Sequence, residues 1–191
     1  MSKPTLEYIE KLSQLGVGHR ALLRACAMSR LDNDVRAFDL FSGLWWPLRQ
    51  KSPQAPERES AWIIAKLYCA FPLEHERSRR LARELGRIAR AQPNENLRKS
   101  IELRFDQMLT ANRSNLEEHL RWALLTLCAH QARKLDWVAL TDDLWKWNRD
   151  PSVKTRWARD YLGLTAPDEP DHMNPSQSQE PPQNEKGDLE Q

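Results

Sequence analysis

The sequence predicts an all-α protein, a compact bundle of about eight or nine helices followed by a disordered acidic C-terminal tail. Three observations predict it. Glycine is scarce, with six in 191 residues. Runs of β-branched residues are missing, and apolar positions recur at spacings of three and four rather than two. Thr5 to Leu15 reads as the first helix, ended by Gly16-Val17-Gly18. His19 to Met28 is the second, with Ala21, Leu22, Ala25 and Met28 facing inward. Val35 to Trp46 is the third, closed by Pro47, and the stretch 49–58 carries Pro53 and Pro56 among polar residues, a connection. Glu57 to Phe71 returns to helix around Trp62, Ile63, Leu67 and Ala70, and Pro72 stops it.

The later boundaries carry capping signals. Ser114-Asn115-Leu116-Glu117 has the form of a capping box, opening a helix to about Arg133. Leu116, Leu120, Leu124 and Leu127 line one face of it, and Trp122, Leu125 and Ala129 lie across from them. That pattern predicts a central helix packed from two directions. Asp136 is placed to cap Trp137 to Trp147, and Asp150-Pro151 opens a last helix with proline where its missing amide costs nothing. Residues 166–191 hold five of the twelve prolines, six Gln or Asn, and only Ala166, Met173 and Leu189 as apolar residues. Such a segment cannot offset its ordering entropy by burial. The expected organisation is one helical domain, 1–165, and a disordered tail, 166–191.

Charge is divided unevenly between the two parts. The whole chain nets +2, but residues 166–191 contain seven acids and one base, a net −6, which leaves +8 on residues 1–165. A basic body points to a polyanionic partner. No apolar stretch approaches the roughly 20 residues of a bilayer span, and the start MSKPTLEYIEKL has no apolar h-region. Cys26, Cys69 and Cys128 stand singly, without zinc-finger spacing, which fits a reduced, cytoplasmic location.

The densest charge lies between Arg77 and Arg104, with nine bases against three acids. At helical pitch Arg79, Arg83, Arg87 and Arg90 fall within about 80° of one another, opposite Leu81, Leu85 and Ile88. No acid is interleaved in that stripe, so its repulsion calls for compensation from outside the helix. Phosphate oxygens suit the guanidinium fork. Arg98, Lys99 and Arg104 extend the segment, and Arg20 and Arg24 form a second basic pair. Of the eight tryptophans, Trp62, Trp122, Trp137 and Trp157 occupy core registers. Trp145 and Trp147 point about 200° apart on one helix, so one core cannot take both. The same reasoning applies to Trp45-Trp46, and Trp45, Trp145 and Trp147 are candidates for a protein–protein interface.

Catalytic arrangements fail on spacing. His119 and His130 stand about 16 Å apart along one helix, too far to share a metal. Asp142-Asp143 reads as a solvated face, and no glycine-rich phosphate loop occurs. The expectation is a protein without catalysis, metal or cofactor.

A set of ordered motifs adds to this. It comprises Gly18-His19-Arg20-Ala21-Leu22-Leu23-Arg24, the aromatic run from Phe38 to Trp46, Leu85-Gly86-Arg87, and Arg104-Phe105 with Met108-Leu109. His119-Leu120-Arg121 follows, then Leu135-Asp136-Trp137, Leu140, Asp143-Leu144, Trp147, and Trp157 with Tyr161. Over about residues 15 to 163 the chain resembles the small subunit, the CasB family, of the type I-E CRISPR Cascade complex. The resemblance implies a non-catalytic helical subunit, present in more than one copy, contacting the backbone and large subunits of a crRNA-guided complex. Its basic face would hold the R-loop, chiefly the displaced non-target DNA strand. The nucleic-acid-binding candidates are then Arg20, Arg24, Arg79, Arg83, Arg87, Arg90, Arg98, Lys99, Arg104 and Arg121; Arg24, Arg87, Arg104 and Arg121 fall on family positions. The alternative is a helical adaptor whose basic face meets an acidic protein.

Overall fold

A computed structural model describes residues 2–27 and 35–164. Met28 and the segment 166–191, to which sequence expectations apply, lie outside the described residues. Among the described residues the chain forms nine helices and one pair of two-residue strands: α1 (Lys3–Ser13), α2 (Val17–Ala25), α3 (Val35–Lys51), α4 (Arg58–Ala70), β1 (Glu74–His75), α5 (Leu81–Ala91), α6 (Glu95–Thr110), α7 (Arg113–Ala129), β2 (Lys134–Leu135), α8 (Trp137–Lys146) and α9 (Pro151–Leu162).

The centre of the bundle is α4, which packs against α1, α2, α3 and α8. Its Trp62, Ile64, Ala65 and Leu67 are buried, and Tyr8 of α1 donates its hydroxyl to the Ala61 carbonyl at 2.8 Å. The two-sided reading of α7 is corrected. Only its Leu116, Leu120, Ala123, Leu124 and Leu127 face is buried, Leu125 and Ala129 are exposed, and α7 packs chiefly on α5 and α6. The Ser114 capping box is not formed either: α7 already starts at Arg113, and Asn112 takes the cap position without a side-chain bond. Leu23 of α2 and Cys26, which caps its C-terminus, face inward, while Ala21 and Ala25 are exposed.

Pro47 does not end α3. It lacks the amide that would bond to Gly43, a defect of about 3 kcal/mol in a helix interior. Phe41 and Leu48 on either side of it are nevertheless buried on the core side, so packing carries the helix through to Lys51. The caps of α8 and α9 form as their sequences imply. Asp136 accepts from the Ala139 amide and Asp150 from the Ser152 amide, each at 2.9 Å.

Two features position the surface described next. Helix α5 packs closely on α9 because Gly86 has no side chain: a Cβ there would lie 1.9 Å from the Tyr161 carbonyl oxygen. The strands β1 and β2 pair in parallel, Glu74 against Lys134 and His75 against Leu135. The Glu74 amide donates to Arg133 at 2.9 Å and the Glu76 amide to Leu135 at 3.0 Å. This pair was not foreseen, since two residues per strand leave no periodicity in the sequence.

Candidate nucleic-acid interface

Most of the α5 stripe is neutralised from within the fold, contrary to the expectation that compensation must come from outside. Glu84, only 5 % exposed, accepts from Arg79 at 3.2 Å and from the Arg87 Nε at 3.1 Å. Asp160 of α9, 1 % exposed, lies 3.7 Å from both Arg80 and Arg83. Arg90 donates to the Tyr161 carbonyl and sits against Gly163. That glycine ends α9 at φ +74°, with the Leu164 amide closing onto Arg159 at 2.9 Å. A sequence scan cannot see Asp160, because the close approach at Gly86 delivers it.

The two edges of α5 therefore differ. Arg80, Arg83 and Arg90 face α9. Arg87, whose side chain is 60 % exposed, and Arg79, at 49 %, face the other way. There they meet Arg133 and Lys134, which β2 brings beside them, and the four cations line an open cleft of about 240 Å³ with Glu84 and the Gln131-Ala132 turn. Lys134 also bonds Glu76, and with Arg79 it holds that carboxyl below the usual range. The Arg133 guanidinium makes no ion pair among the described residues and is exposed. Sequence reasoning missed Arg133 and Lys134, although they directly precede the Leu135-Asp136-Trp137 motif.

The remaining basic candidates lie outside this cleft. Arg98 pairs with Glu102 at 3.6 Å and Lys99 with Glu95 at 2.8 Å, surface i,i+4 pairs of small energetic weight. Arg104 is exposed, its guanidinium 5.5 Å from the centre of the half-buried Trp122 ring, and Arg121 is half-buried on α7. Arg20 donates from Nε to the Leu15 carbonyl at 2.9 Å, satisfying the chain just past the end of α1, while Arg24 is exposed. Both act electrostatically on Cys69, whose thiol burial pushes up to about 11.

One of the interface tryptophans, Trp147, is corrected. Trp147 is 1 % exposed, packs edge-on against Trp157 at 4.9 Å and donates to the Ala111 carbonyl at 3.2 Å. It has no surface to offer, and of that pair Trp145 points outward, with Arg149 above its ring. Trp45 is half-buried, stacked on Phe41 and bonded to the Pro56 carbonyl at 2.8 Å, so Trp46 is the exposed member of its pair. Trp62, Trp137 and Trp157 are buried as their registers imply.

The Asp142-Asp143 pair is not a solvated face. Asp142 accepts from the Thr5 hydroxyl at 2.6 Å, tying α8 to α1. Asp143 accepts from Arg156 and, at 2.7 Å, from the Trp157 indole, tying α8 to α9. Burial pushes its carboxyl up to about 6, against the opposing pull of Arg156. Among the described residues no helix is long and apolar enough to cross a membrane.

Comparison with known proteins accounts for this architecture. The family of CRISPR-associated protein Cse2 matches residues 19–162. A CRISPR-associated protein Cse2 of Thermus thermophilus is 33 % identical over 114 residues, covering 59 % of this chain and 62 % of the relative. The matched region thus spans about three fifths of that relative's length. The crystal structure of a Cse2-family protein from Thermus thermophilus superposes with a TM-score of 0.67 at 27 % identity, over 85 % of this chain and 99 % of that one. M. ruber CasB shares the fold, with a TM-score of 0.69 at 21 % identity over 85 % and 94 % of the two chains. The family match runs from α2 to the end of α9 and takes in the whole of the basic cleft; the chain belongs to the Cse2/CasB family of CRISPR-associated proteins.

Proposed function

We propose that this protein is the non-catalytic small subunit of a type I-E CRISPR Cascade complex, acting in the cytoplasm in antiviral defence. It joins backbone and large subunits and a second copy of itself on a crRNA-guided particle, with no membrane or small-molecule substrate. Its basic surface holds the sugar-phosphate backbone of the R-loop, chiefly the displaced non-target strand. Family membership carries this reading, and the cleft of Arg79, Arg87, Arg133 and Lys134 supplies a physical means.

Strand exchange in an R-loop is nearly balanced, because the heteroduplex formed is about as stable as the duplex replaced. A modest affinity for the displaced strand then shifts the equilibrium toward the open state. Guanidinium and ammonium groups supply that affinity through phosphates alone, without reading bases, and guide pairing supplies the sequence. Four exposed cations releasing counterions from a single strand give a steep salt dependence, about −0.7 in log K against log salt per phosphate contact.

Arg133 is the clean probe because no ion pair is lost with it. Arg133→Glu in the assembled complex is expected to shorten retention on target DNA by about tenfold at low salt, with the melting temperature of the subunit unchanged. A filter-retention assay at two salt concentrations reads this. Unchanged retention removes the cleft from the mechanism. Isolation of the tagged protein without short repeat-derived RNAs removes the Cascade reading itself.

A further inference from the structure

Two helices of this chain end in the same turn, with different residues at its critical position. In α9 the Gly163 amide donates to Asp160 at 3.1 Å and the Leu164 amide to Arg159 at 2.9 Å, with Gly163 at φ +74°. In α7 the Gln131 amide donates to Cys128 at 3.0 Å and the Ala132 amide to Leu127 at 3.0 Å, with Gln131 at φ +61°. Both pairs of bonds are those of a Schellman ending. Its left-handed residue is usually glycine, because a Cβ there is crowded by its own backbone. The chain places glycine beside the scaffold edge of α5 and glutamine beside the cleft.

Among the described residues Ser78, at φ +68°, is the other non-glycine residue in this conformation, and the fold holds it there. Its amide donates to the Asp136 carboxylate at 3.1 Å, and the Asp136 amide donates to Arg79 at 2.9 Å. Gln131 has no comparable tie. The turn around it is closed by main-chain bonds that glycine would make equally well. Its carboxamide makes no hydrogen bond among the described residues. The side chain is exposed and lines the cleft of about 240 Å³.

The other side chains of the cleft define what a carboxamide adds. Four are cations, Ala132 contributes a methyl group, and Glu84 already accepts from Arg79 and Arg87. Cations attract phosphate over a Debye length and from many directions, whereas a neutral amide acts at hydrogen-bond distance along one. Its NH₂ group can donate to a phosphate or sugar oxygen, a contact that fixes register without reading sequence.

We infer that the Gln131 carboxamide is a contact group for the strand in the cleft, donating to a backbone oxygen and presented by the left-handed turn that ends α7. The inference rests on the reading of that cleft as a phosphate site and adds a neutral, orienting contact to it. A neutral group releases no counterion on binding. Its share of the affinity therefore does not fall with salt, unlike the share of Arg133.

The test measures the Kd of the assembled complex for target DNA from about 50 to about 300 mM salt, in wild type and three variants. Gln131→Met keeps the left-handed backbone and the side-chain length without the hydrogen-bonding groups. Gln131→Gly removes the side chain, and Arg133→Glu reverses a cleft charge. Both Gln131 variants are expected to bind about threefold more weakly at every salt concentration. Their slope of log K against log salt stays that of wild type, whereas Arg133→Glu flattens it by about 0.7 or more. Wild-type affinity in both Gln131 variants, with Arg133→Glu weakened, overturns the inference and leaves the phosphate reading standing. A loss in Gln131→Gly alone assigns the effect to the backbone, and a loss in Gln131→Met alone to the methionine; either overturns the inference too. Three variants that all bind as wild type overturn the phosphate reading and the inference with it.

Discussion

The two edges of α5 carry the same kind of side chain and use it differently. Toward α9, Arg80 and Arg83 close around the buried carboxylate of Asp160 and Arg90 holds the Tyr161 carbonyl. Toward β2, Arg79 and Arg87 share Glu84 and still stand largely in solvent beside Arg133 and Lys134. Both acids are buried and each is shared by two arginines. What separates the edges is the arginines themselves, about a quarter exposed beside Asp160 and half or more exposed beside Glu84. Net charge alone does not show that difference; the packing of α9 against one edge does.

The comparison breaks first at Asp160. Asp160→Asn leaves two guanidiniums on the α9 side without their carboxylate and is expected to destabilise by about 3 kcal/mol, read as a fall in the denaturant midpoint. Oligonucleotide affinity measured below the transition should hold, because the cleft is untouched; a loss of affinity equal to that of Arg133→Glu would merge the two edges. Gly86→Ala comes next. Its Cβ would collide with backbone rather than with a flexible side chain, so α5 and α9 must separate, at an expected cost of about 2 kcal/mol. A midpoint within error of wild type would mean that the crossing is looser than described.

The pH dependence of the α8–α9 tie follows in size. The Asp143 carboxyl is pushed from 3.8 up to about 6, chiefly by burial. The folded state therefore binds its proton more tightly than the unfolded chain between about pH 4 and 6. The stability this contributes is present at low pH and lost as pH rises through 6. Thermal melts should show wild type gaining on Asp143→Asn as pH falls from 7 to 5. A constant gap between them would assign the carboxylate an ordinary titration. The smallest effect lies on the cleft side. Gln131 holds a positive φ of 61° at the end of α7, where the Ala132 amide closes onto Leu127. Gln131→Gly relieves that conformation and is expected to stabilise by about 1 kcal/mol, read as a rise in the denaturant midpoint; an unchanged midpoint would mean that the positive φ carries no strain.

What the sequence made legible was whatever is encoded locally. The caps at Asp136 and Asp150, the leucine face of α7 and the core registers of Trp62, Trp137 and Trp157 follow from spacing alone, and the structure keeps all of them. The misses share a different cause. Pro47 is a strong local stop that packing at Leu48 overrides. Ser114 is a good cap that goes unused because the helix starts two residues earlier than its hydroxyl requires. Asp160, Arg133 and Lys134 matter only because α9 and β2 carry them to α5 from far along the chain. The cations were legible as cations; their division into scaffold and surface was not, since it depends on carboxylates contributed from elsewhere in the fold as well as from α5 itself.

The pairing of β1 with β2 joins positions sixty residues apart in the chain. Arg79 and Arg87 are translated long before Arg133 and Lys134, and only the late strand brings the second pair alongside the first. A chain still attached to the ribosome consequently holds Arg79 and Arg87 without Arg133 and Lys134 beside them until β2 has emerged, and the long loop that this pairing must close makes the cleft a late product of folding.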